Sequence, residues 1–208
     1  MTLSDLKVKF PDATEDTWHQ HSNGGGWVQN TATVATTAFV GPDARVYGSA
    51  RVSGNARVSG SAWVSGNAKV FGTANVYGEA MVSGSAWISG IAKVYGNANV
   101  SGNARVSGNA NVSGNAWIYG NANVYGEAWV FGNANVYGNA KVYGNTNVSG
   151  NAKVFGNTNV SGSARVSGSA RVYGEAIVYG SAWVSGNAKV FGNARVSGIA
   201  SGSAVISE

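Results

Sequence analysis

From Val28 to Val196 an aliphatic residue returns every six positions for 29 consecutive steps, Val at every step except Ile88 and Ile118, and no insertion breaks the run. From Gly48 to Gly198 a glycine returns with the same period at all 26 positions. The unit is Ala-x-Val-x-Gly-x. Ala and Val, two apart, point to one side of an extended segment, and the residues flanking Val point to the other. The glycine two after Val supplies a residue that turns with positive φ at no steric cost, so the chain makes a corner every six residues. A step this short buries little by itself. Stacked coils enclose a continuous Val/Ala core with backbone hydrogen bonds between coils, and the expected architecture is a solenoid.

Composition narrows the chemistry. The 208 residues include no cysteine, which excludes disulfides, thiolate metal sites and cysteine nucleophiles. No apolar run approaches the roughly 18 residues of a membrane span. Glycine at 31 residues with only 11% charged residues would suggest low complexity, but 44% hydrophobic content supplies a core.

The hexads VYGSARVSGNARVSGSAWVSG resemble the hexapeptide repeat of left-handed parallel β-helix proteins, in which an aliphatic residue and a small residue two before it fill a triangular prism. The resemblance covers residues 28–198. It implies an all-β, single-stranded, left-handed parallel β-helix of 18 residues per coil and about ten coils, with an N-terminal cap. At about 4.8 Å per stacked strand the rod is about 46 Å long. The left hand comes from the resemblance alone, because ordinary parallel crossovers are right-handed in about 98% of cases. In the enzymes of that family the position after the aliphatic residue is often small or acidic, whereas here it is Ser, Tyr or Phe. The opening NGGGWV, Asn23 to Val28, also resembles that of uncharacterised bacterial and phage hexapeptide-repeat proteins.

Residues 1–27 read as the cap and opening segment. Leu6, Val8 and Phe10 alternate as in an extended segment, Pro11 ends it, and a polar stretch leads into the first coil. Such a cap should cover the open edge of the terminal coil. Residues 199–208 break register, since Gly202 stands where Val is due, and the solenoid is expected to stop or fray there. The first residues lack a basic stretch followed by an apolar one, so no signal peptide is expected and the location expected is the cytoplasm or a phage particle.

Because the core is monotonous, information lies in the outward positions, which a period of 18 sorts into columns. One column reads Tyr119, Tyr137, Phe155, Tyr173, Phe191, and beside it run Trp117, Asn135, Lys153, Arg171 and Lys189. Tyr119, Tyr137, Phe155, Tyr173, Phe191, Trp117, Lys153, Arg171 and Lys189 are the candidate binding residues. Either they only stabilise neighbouring coils by stacking, or they form a contact surface, whose expected partner is a second copy of the chain in a symmetric homo-oligomer and otherwise an elongated sugar or polyanion. Two corner columns, Asn97/115/133/151 and Asn103/121/139/157, are expected to hydrogen-bond along the axis as stacked amides do. Residues 28–198 hold 12 Lys/Arg against 4 Asp/Glu, dispersed over all faces, which suits a solubilising coat better than a nucleic-acid groove.

Many hexapeptide β-helices are acyltransferases with a histidine base. This chain has only His19 and His21, both outside the repeat, with no excursion loop to hold an acyl carrier and no further metal ligands nearby, so no catalysis, cofactor or metal is expected. Ice binding needs a regular threonine array, and the repeat contributes few, such as Thr73, Thr146 and Thr158. The expected function is a non-enzymatic rod, a structural or interaction module, with acyltransferase, ice-binding and polysaccharide-binding roles as alternatives.

Overall fold

A computed structural model describes all residues, 1–208. The chain forms three sheets, of 12, 10 and 10 strands; from Trp27 onward it is a parallel β-solenoid in which each strand pairs with its neighbours three before and three after it in the chain. The register is 18 throughout the repeat: Val76 lies beside Val94 and Val58, and Val136 beside Val154. We call the sheet that runs through Trp117–Ile118 the first face, that through Asn123–Val124 the second and that through Trp129–Val130 the third.

Most strands are two residues long, too short to hold themselves. What holds them is the ladder between coils, which engages three amides in most hexads. Trp117 N–H donates to the Ala134 carbonyl at 2.9 Å, Tyr119 N–H to Val136 at 3.1 Å and Asn121 N–H to Gly138 at 2.8 Å. The repeat's glycines take φ between +62° and +83° as far as Gly192. Inside, 54 residues form one buried cluster that consists of the alanine and valine columns. Each coil adds the same apolar groups, so the core is a stack of equivalent layers.

Two alanine slots depart from the rule. Thr146 and Thr158 are fully buried, and their hydroxyls have no hydrogen-bond partner. They point into the core and so form no part of an outward array. An unpartnered buried hydroxyl costs about 1–3 kcal/mol. Thr146→Val keeps the shape and removes the polar atom, and should raise the melting temperature; a decrease would show that the hydroxyl is satisfied in solution.

The N-terminal segment differs from its expected form. Leu3–Lys9 is an α-helix, α1, opened by a capping box in which Thr2 Oγ1 accepts from Asp5 N–H and the Asp5 carboxylate accepts from Thr2 N–H. Leu6 is buried while Val8 is 82% exposed. Strand β1, Trp18–Gln20, then pairs antiparallel with β2, Trp27–Gln29, and closes the edge of the first face. Part of the cap turns sideways instead: Phe10 and Trp18 pack on Tyr47 and Phe10 on Trp63, with centroids 5.0–6.3 Å apart, so the cap also covers the flank of the early coils.

The C-terminal residues differ too. The solenoid continues past residue 198 in a coil shortened by two residues. Val184 now lies beside Ala200 and Val190 beside Ile206, sixteen apart rather than eighteen. The two residues are lost from the corner after Val196. Gly198 therefore takes the alanine's backbone place, its carbonyl accepting from Trp183 N–H at 2.9 Å, and Gly202 makes the next corner at φ +64°. No helix is long and apolar enough to cross a membrane.

Candidate binding face

The aromatic column forms a continuous stack on the first face. Tyr119 to Tyr137 is 4.7 Å between ring centroids, Tyr137 to Phe155 4.8 Å, Phe155 to Tyr173 5.1 Å and Tyr173 to Phe191 5.0 Å, with planes within 7° of parallel. In-register strands dictate this spacing, close to the strand separation itself. Each ring is half-buried by its neighbours. Burial, and then the facing Tyr137, hold the Tyr119 phenol above its ordinary pKa. Stacking has a chemical consequence: between Tyr119 and Phe191 the π-faces are covered by one another and only ring edges meet solvent.

The neighbouring column carries the charges. Lys153 lies beside Arg171 and Arg171 beside Lys189, on three consecutive coils, and all three side chains are exposed. No lysine or arginine of the rod forms an ion pair with a carboxylate; the ion pair present joins the Met1 ammonium to Asp43. Elsewhere cations settle over rings. Arg57 lies 4.3 Å from the Phe39 centroid, Lys69 and Arg105 flank Trp87 at 4.6 and 4.9 Å, and Lys9 and Arg45 share Trp63. Lys153, Arg171 and Lys189 have neither kind of partner, because the rings nearest them in sequence stack on each other. Two unit charges separated by one strand spacing repel by about 0.9 kcal/mol in bulk water. The arrangement therefore presents unneutralised positive charge in a line along the rod.

Trp117 stands at the other end of this strip, 52% exposed and beside Asn135 in the next coil. The candidate residues thus share one face, as the period of 18 requires. The Asn columns do hydrogen-bond along the axis: Asn97 to 115, 115 to 133 and 133 to 151 at 3.0–3.3 Å, and Asn103 to 121, 121 to 139 and 139 to 157 at 2.9–3.1 Å. They brace the corners and leave their amides largely committed to one another.

His19 and His21 go separate ways. His19 Nδ1 lies 2.7 Å from Asn30 Oδ1, and Asn30 in turn donates to the Asp16 carbonyl. His21 is buried, with Nε2 3.0 Å from the Ala38 carbonyl. Both tie the cap to the first coil. Further stacks, Tyr77 on Tyr95 and Tyr125 on Tyr143, were readable from the same spacing of 18 but are only two rings long. The cluster of Phe10, Trp18, Tyr47 and Trp63 carries no such signal, since it depends on the N-terminal segment folding back.

Among known families, the YdcK beta solenoid repeat matches the chain at residues 50–66, 74–90, 104–120 and 170–186. Each matched segment starts on an inward alanine and runs almost one coil. No curated protein matches the chain. The similarity is to the repeating coil of a β-solenoid, and it agrees with the three-sheeted architecture described above.

Proposed function

We propose that this chain is a non-enzymatic rod that acts as an interaction module, and that its first face binds an extended anionic polymer lengthwise. The observation that carries this reading is the line of Lys153, Arg171 and Lys189, in register on consecutive coils with neither a carboxylate nor a ring face to neutralise them. A polyanion laid along the axis meets one cation per coil and relieves the repulsion among them. The edges of Phe155, Tyr173 and Phe191 form an apolar border to the same track. Association between copies through this strip is disfavoured by charge, because antiparallel two-fold packing would set Lys153 against Lys189.

The test compares two charge reversals of equal size. Dextran sulfate should bind the wild type with strong salt dependence. Lys153→Glu, Arg171→Glu and Lys189→Glu together should weaken it at least tenfold. The reversal of Arg51, Lys69 and Arg105 to Glu on the second face changes net charge identically and should cost less than a third of that factor. Equal losses would show that the polymer responds to overall charge and that the strip is not a site.

A further inference from the structure

The ring faces that stacking consumes on the first face are free on the third. Trp129, Phe131 and Trp183 are 49%, 37% and 50% exposed, and each stands on a coil whose neighbours carry no ring at the same position. Between them, two coils carry Asn147 with Ser149 and Arg165 with Ser167. The surface therefore dips between aromatic walls, in a hollow of about 360 Å³ lined by Phe131, Asn147, Ser149, Arg165, Ser167 and Trp183. A second hollow of about 310 Å³, lined by Glu127, Trp129, Asn145 and Asn147, shares Asn147 with it. Trp129, Asn147, Arg165 and Trp183 lie in register on four successive coils, so the two tryptophans are three coils apart, about 14 Å.

We propose that the third face holds a short acidic oligosaccharide laid along the rod axis, with sugar rings against Trp129 and Trp183 and a carboxylate on Arg165. A pyranose offers polarised C–H groups on its faces, which suit the negative face of an indole, and hydroxyls around its rim, which suit short amide and hydroxyl side chains. Arg165 is the cation lining this hollow, and its guanidinium has no carboxylate partner in the protein. A planar fork of donors matches a carboxylate better than it matches a neutral hydroxyl. Other ligand classes fit less well. A single aromatic molecule would not reach both tryptophans. A peptide strand would need free backbone amides, and those of this face are taken between coils: Asn147 N–H donates to the Ala164 carbonyl at 3.0 Å and Arg165 N–H to Ala182 at 2.8 Å. The site is separate from the polyanion track, and the two stand or fall independently.

Titration of the full chain with tetragalacturonate and with cellotetraose, followed by tryptophan fluorescence and calorimetry, tests this. Tetragalacturonate should bind more tightly than cellotetraose. Trp129→Ala and Trp183→Ala should each weaken both at least tenfold, and Arg165→Gln should reduce tetragalacturonate to the level of cellotetraose while leaving cellotetraose unchanged. Trp117→Ala and the first-face triple reversal should leave cellotetraose binding unchanged. The side chains altered are exposed, so melting temperature should stay within a few degrees of the wild type. No binding of either saccharide, or losses in Trp117→Ala equal to those in Trp183→Ala, would overturn the proposal.

Discussion

Gly162→Ala should destabilise the rod by about 2–4 kcal/mol, while Gly180→Ala should cost only about 1–2. Both residues sit at corners with positive φ, +71° and +62°, where any L side chain is strained. They differ in what lies above them. A Cβ at Gly162 would come 2.7 Å from the carbonyl oxygen of Gly180 and 2.9 Å from its nitrogen, backbone atoms that cannot move without breaking the ladder. A Cβ at Gly180 meets nothing within 4 Å, because the following coil is short by two residues and Gly198 no longer stands over this corner. The pair thus separates conformational strain from close approach. Urea unfolding of the two variants measures it, and equal midpoint shifts would show that only the backbone angle requires glycine.

The other large effect belongs to the cap. Trp18 is 3% exposed and packs with Leu6, Ala13 and Trp27, its ring 4.9 Å from Phe10 and 6.1 Å from Tyr47. Truncating a buried tryptophan costs about 3–5 kcal/mol. That loss falls on a small cluster joined to a long solenoid, and in a solenoid each unit touches only its neighbours. Trp18→Ala should therefore release α1 and β1 and leave the central coils intact. Hydrogen exchange would show it: amides from Leu6 to Gln20 should exchange at least a hundredfold faster, while those of Asn99, Asn123 and Asn147 keep their protection. Uniform loss of protection along the rod would mean that the cap nucleates the whole structure.

Much of this architecture is legible in the sequence because a period of six with glycine at a fixed phase admits one arrangement of strand and corner. The coil register, the Val/Ala interior and the amide columns follow from counting. The first turn of chain does not. Leu6 and Phe10 are four apart, a separation common to alternation and to a helix face, so their spacing alone fits either; the Thr2-x-x-Asp5 capping box decides for the helix. The last coil misleads for a related reason, since a two-residue deletion at a corner shifts every later residue out of phase while leaving the fold continuous. On the surface, counting places Tyr119 to Phe191 in line but gives no ring orientation, and orientation is what withholds the π-faces and leaves Lys153, Arg171 and Lys189 unpartnered. Trp129 and Trp183 form no adjacent ladder in the sequence, because two coils without a ring, bearing Asn147 and Arg165, separate them.

Sedimentation of the purified chain alone and with dextran sulfate tests the central claim most directly, that the first face meets an anionic polymer. A monomer that sediments faster with the polymer, and returns to monomer as salt is raised, is the predicted result, with Lys153→Gln, Arg171→Gln and Lys189→Gln together abolishing the shift. A dimer in the absence of polymer that Tyr137→Ser, Phe155→Ser and Tyr173→Ser together dissociate would contradict it and would make the strip a contact between copies of the rod.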